Sequence, residues 1–262
     1  MCSSDLALAA AAGTTNANIW VRDGSYGPAR FVVPPSTHVF GGFAAGQPFT
    51  LANRAPLANR TILTSGAGQA TFDVTQVGVH VVLDGFFLDG RSQGFIGVDQ
   101  DSVDLDVRAM TIRNYVDRGI RLRNTSNEPS IVRVCSCVVQ SNGADGMNVL
   151  GQFDLHVDGS TFDSNRQEGI ECGNLIALNS QTSSLRVTDC RFYGNLAEGL
   201  DASLAQPALN NTAIGRFDVF VRGCLFEANA LDGLLIDQEH ELAPSLYAHV
   251  VVRECTAINN GG

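Results

Sequence analysis

The sequence predicts an all-β protein, a right-handed parallel β-helix whose short strands stack rung upon rung. Three observations carry that expectation. One pattern of apolar, turn and polar residues recurs six times between residues 103 and 262. Within it the interval from a valine to a glycine is twelve residues in all five complete copies: Val107 to Gly119, Val134 to Gly146, Val157 to Gly169, Val187 to Gly199 and Val221 to Gly233. No segment after residue 13 keeps a helical period beyond about two turns. Repeats of roughly 20–50 residues build solenoids or propellers. A propeller needs antiparallel four-stranded blades of about 40–45 residues, and these copies are too short and too uneven for that. No tight two-residue hairpin joins successive runs, so the strands are free to stack in parallel.

The whole chain, 1–262, reads as one β-helix domain. Residues 1–16 predict a short capping helix at the entry: Ser3 or Ser4 caps it, Leu6 and Leu8 give it an apolar edge, and Gly13 stops it. Residues 17–102 supply the first coils. Their β-type runs are 19–21, 30–33, 38–40, 61–63, 71–74 and 79–88, with a long polar loop at 44–60. From residue 103 the copies align in columns. The valine column continues to Val252. Three residues on stand Met110, Cys137, Ser160, Cys190, Cys224 and Cys255. Next come Ile112, Val139, Phe162, Phe192, Phe226 and Ala257, then Tyr115, Asn142, Asn165, Asn195, Asn229 and Asn260. The chain breaks off inside the sixth copy, so a longer protein is expected.

Composition narrows the function. The formal charge is −10, and all 17 basic residues are arginine. Nucleic-acid binding needs clustered cations to displace counterions, so it is not expected; nor is docking on an anionic membrane. No apolar run reaches the roughly 18 residues of a membrane span, which argues against insertion. The seven cysteines include no C-x-x-C pair, and four lie in one inward column, so they read as core.

The stretch IWVRDGSYG, followed by FVVPPSTHVFGGF, resembles the opening of bacterial β-helix proteins of the pectin-lyase-like superfamily. The later copies are similar to the parallel β-helix repeat of that group. The resemblance covers nearly the whole chain and implies the fold. It leaves activity open, because the superfamily holds lyases, hydrolases, epimerases and non-catalytic surface proteins. It also implies a secreted or cell-envelope location and a polysaccharide partner, with the chain a monomer or part of something longer.

Strands in such a stack lie about 4.8 Å apart, so like residues sit over like. The asparagine column is then a ladder of amides along a corner. Two columns beside the repeat glycine carry charge. The residue before it is Arg118, Asp145, Glu168, Glu198 or Asp232; two after it stands Arg121, Asn148, Glu171, Asp201 or Leu235. Both positions are expected to face outward. Stacked carboxylates repel unless something neutralises them. A solvated acidic face is the simpler reading. The functional one seats Ca²⁺, a hard cation that takes several carboxylate oxygens, at Glu168, Glu171, Glu198 and Asp201. Asp145, Asn148 and Asp232 would then line a ligand groove, walled by the long connections at 174–184, 204–216 and 239–248.

Two functions fit. One is a non-catalytic module of a secreted or surface protein that binds carbohydrate. The other, which the resemblance allows, is a Ca²⁺-assisted lyase or epimerase acting on an acidic polysaccharide, with Arg121 as its base. The polygalacturonase-type signatures N-T-D, D-D and G-H-G are missing, so no hydrolase residue carries over. The five histidines are scattered and receive no role.

Overall fold

A computed structural model describes residues 16–75, 80–176, 182–205, 216–239 and 247–262. The strands form three parallel sheets of nine, nine and eight members. Each sheet takes every third strand in chain order, the signature of a parallel β-helix. The first sheet runs from Ala17–Arg22 to Tyr247–Arg253, the second from Gly24–Tyr26 to Thr256–Ile258, and the third from Phe31–Val32 to Leu234–Glu239. The expected capping helix, except for Asn16, lies outside the described residues.

The columns stack as the spacing predicts. Val107, Val134, Val157, Val187, Val221 and Val252 pair in sequence across the first sheet. Ile112, Val139, Phe162, Phe192, Phe226 and Ala257 do so across the second. The interior side chains are buried until the last rung, where Val252 is 44 % exposed. The rings of Phe162, Phe192 and Phe226 lie nearly parallel, 5.3 and 4.9 Å apart. Two strands escaped the sequence reading. Gly24–Tyr26 is short, and Ile96–Asp101 points the polar Gln100 inward. Gln100 is tolerated there because its amide donates to Val103 O at 2.6 Å and accepts from Arg123 N at 3.1 Å. The polar loop at 44–60 packs closely: Arg54 donates to Gly41 O and pairs with Asp84, and the Phe49 ring meets Trp20 and Phe43.

Each repeat turns two corners. The first, between the first and second sheets, places Ala109, Ser136, Gly159, Asp189, Gly223 or Glu254 in the left-handed region. The residue after it enters the cysteine column. There Cys137, Cys190, Cys224 and Cys255 donate their S–H to carbonyls at the end of the first sheet, on their own rung and the one before. Burial pushes the Cys137 thiol up to about 12, which leaves it unreactive.

The second corner places Asn114, Ser141, Ser164, Gly194, Ala228 or Asn259 in the left-handed region, and Tyr115 or the ladder asparagine follows. From Asn142 to Asn229 each Nδ2 donates to the next rung's Oδ1 at 2.9–3.0 Å. That same Oδ1 also accepts a backbone N–H from the rung before. Neither the ladder asparagines nor the repeat glycines take positive φ; the residue before each asparagine does. The repeat glycines are needed for close approach. A Cβ on Gly169 would meet Gly199 O at 2.4 Å, and one on Gly199 would meet Gly233 O at 2.5 Å.

Asn195→Ala strands the buried donors of Asn165 and the carbonyl of Phe162. It should cost about 3 kcal/mol or more in denaturant unfolding, since each unsatisfied buried polar group costs roughly 1–3 kcal/mol.

Candidate functional site

The third sheet carries the charged strip. Pairing stacks Asp73, Asp99, Arg121, Asn148, Glu171, Asp201 and Leu235 in one column. Asp73 and Asp99 extend the strip beyond what the repeats reveal, because the first coils lack the valine-to-glycine interval. Beside this column, around the glycines, lie Arg118, Asp145, Glu168, Glu198 and Asp232.

The two columns are not a uniform exposed face. Asp145 is fully buried and Asn148 nearly so, against the expectation that both point outward. Side chains of the neighbouring rungs meet them: Arg118 on one side of Asp145, Glu168 and Glu171 on the other, with Glu171 also against Asn148. Glu168, Glu171, Glu198, Asp201 and Asp232 are half-buried. Arg118 donates Nε to Asp145 Oδ2 at 2.8 Å and Nη1 to both oxygens of Asp117. Arg121 forms a two-point pair with Asp99 at 2.9 and 2.6 Å. That two-point pair favours the guanidinium as a charged donor, which is the wrong state for a proton-abstracting base.

Among the described residues one acidic group closes up. Ligand oxygens of Asp145, Glu168 and Glu171 all lie within 4.8 Å of one another. Glu198 and Asp201, predicted to share the site, stay outside this group. The Asn148 amide donates to Glu171. Asp145 Oδ1 has no hydrogen-bond partner. Burial first, and then the neighbouring Glu168, raises the Asp145 carboxyl to about 6. Burial also raises Glu168 and Glu171. The loop wall falls mostly in 177–181, 206–215 and 240–246, outside the described residues.

A second constellation sits on the outer face of the first sheet. Asp106, Arg133, His156, Arg186 and Phe220 form one column there, a place before the valines. Asp106 is almost fully buried and accepts Arg108. His80 Nε2 lies 3.4 Å away, and Arg133 lies 3.6 Å from its other oxygen. Arg186 lies over the Phe220 ring at 4.6 Å and takes no carboxylate partner among the described residues. These positions vary in type from copy to copy, so the repeat did not mark them. Reading the place before each valine would have found them.

A sequence profile described as a right-handed β-helix region matches residues 94–262. The chain belongs to the right-handed β-helix family. Among solved structures, the β-helix is similar to the A-module of the mannuronan C-5 epimerase AlgE4 of Azotobacter vinelandii. The likeness has a TM-score of 0.50 at 14% identity and covers 98% of this chain and 70% of that one. The AlgE6 A-module of the same organism gives 0.38 at 12%, covering 97% and 93%. The catalytic unit of a GH87 α-1,3-glucanase from Streptomyces thermodiastaticus gives 0.36 at 10%, covering 98% and 66%. At 14% identity the likeness to the AlgE4 A-module bears on the fold alone. No curated protein matches its sequence.

Because its folded value lies above the ordinary one, Asp145 favours the folded chain when protonated. That contribution is complete below about 3.8 and is lost as pH rises through about 6. In chelator, the melting midpoint of the native chain relative to Asp145→Asn should therefore fall across that window.

Proposed function

We propose that the chain is a non-catalytic β-helix module of a secreted or cell-surface protein and lies along an acidic polysaccharide. The column Arg133, His156, Arg186 and Phe220 on the first sheet carries this reading. Four planar side chains follow one another at rung spacing, about 4.8 Å, along one sheet. Rings and guanidinium planes offer flat faces for stacking. Arg186, without a carboxylate partner among the described residues, has fork donors to offer a uronate carboxylate. The cation expected at the third sheet, calcium, enters as a structural tie between rungs and not as a reaction partner.

A second reading, a lyase or epimerase on the same class of polymer, draws on His80 and Asp106 with Arg108 and Arg133 beside them. That arrangement offers a base and charge neutralisation, which Arg121 in its pair with Asp99 does not.

Immobilised polygalacturonate or alginate should retain the native chain, and Arg186→Ala with Phe220→Ala should weaken retention about tenfold or more. Retention unchanged by the double substitution removes the face from the account. Ultraviolet-absorbing unsaturated products that vanish in His80→Ala would establish the lyase reading in its place; for an epimerase the readout is the uronate composition of the recovered polymer.

A further inference from the structure

We propose that Asp145, Glu168 and Glu171 form a seat for one hard divalent cation, Ca²⁺ in preference to Mg²⁺, between two successive rungs. The inference bears on the calcium part of the reading above and stands apart from its polysaccharide part. An acidic cluster alone would not carry it. The deciding observation is the Asp145 side chain, 0 % exposed. Its Oδ2 is satisfied by Arg118, while its Oδ1 has no hydrogen-bond partner. Both glutamates bring carboxyl oxygens within 4.8 Å of an Asp145 oxygen. Ionised carboxylates are acceptors only, so three of them facing one another satisfy nothing. A buried, unpaired acceptor is costly unless a cation or a proton enters.

The shape of the seat selects the ion. Asp145 is held rigidly from behind by Arg118, and Glu171 is steadied by the Asn148 amide. Glu168 and Glu171 are half-buried, so water reaches their side of the group. Ca²⁺ accepts 6–8 oxygens in flexible geometry, and three carboxylates with waters supply that. Mg²⁺ demands a near-ideal octahedron and gives up its waters reluctantly. The four-carboxylate set read from the columns is thereby redrawn. Asp145 joins from the rung before, and Glu198 and Asp201 drop out.

The test uses the full chain, stripped with chelator and exchanged into metal-free buffer near neutral pH. Calorimetric titration with CaCl₂ should give one site, with Kd roughly 10⁻⁴–10⁻³ M as in extracellular modules. A tenfold excess over Kd should raise the melting midpoint by about 3 °C or more. The same concentration of MgCl₂ should raise it less. Glu171→Gln and Asp145→Asn should each weaken binding at least tenfold, while Glu198→Gln should keep it. The half-buried Glu171 serves as the second variant if the change at Asp145 prevents folding. No heat and no shift at 10-fold higher Ca²⁺ would overturn the proposal. So would binding that survives Glu171→Gln, or an equal response to Mg²⁺. A midpoint that responds to acid and ignores metal would show a shared proton in the seat instead. Loss of polysaccharide retention with Ca²⁺ binding intact would remove the functional reading and leave the seat standing.

Discussion

Hydrogen bonding between successive rungs forces each residue to sit about 4.8 Å from its counterpart in the next. Everything else in this protein depends on that constraint. A side chain in a column must tolerate a copy of itself or of its substitute. Valine, phenylalanine and isoleucine do so by packing, as the parallel rings of Phe162, Phe192 and Phe226 illustrate. Asparagine does so because an amide carries a donor and an acceptor and can bond to its own kind. Thiols manage by giving their hydrogen to backbone carbonyls. Carboxylates have no such solution. Where they stack, the fold must bring in arginine, a proton or an ion, and the charged strip of the third sheet shows the first of these at Arg118 and Arg121.

The same constraint explains what could be read from sequence. Inward columns repeat in kind, so the twelve-residue interval exposed Val107 to Val252, the cysteines and the asparagine ladder. Outward columns repeat in place but not in kind. Asp106, Arg133, His156, Arg186 and Phe220 share a position but not a residue type, and the repeat hid them. Burial of Asp145 escaped for a related reason. Alternation along a strand places a residue on a face, but it does not reveal how far the neighbouring corner closes over that face. The repeat glycines mark the interval in the sequence, but it does not show that their role is to admit the next rung's carbonyl, as at Gly169. That role depends on contacts between rungs and has no local signature.

Two outer faces therefore differ in chemistry. The third sheet holds an inward-leaning acidic group braced by arginine. The first presents arginine, histidine and phenylalanine along the axis. Family membership supplies the rod on which both are mounted and leaves their chemistry to the side chains themselves.

The asparagine ladder has a direction. From Asn142 to Asn229 every amide–amide bond runs the same way, Nδ2 of one rung to Oδ1 of the next, while the second Nδ2 hydrogen of Asn165, Asn195 and Asn229 goes to a backbone carbonyl of the preceding rung. The amides form a head-to-tail chain of aligned dipoles, in which each bond polarises the next. At its start the column changes to Tyr115, whose hydroxyl bonds Thr71 and whose backbone N–H meets Asn142. The rod is thus polar as well as chiral. A rung inserted upside down would interrupt the dipole chain even if its apolar columns matched, so the corner dictates orientation where the core alone would be indifferent.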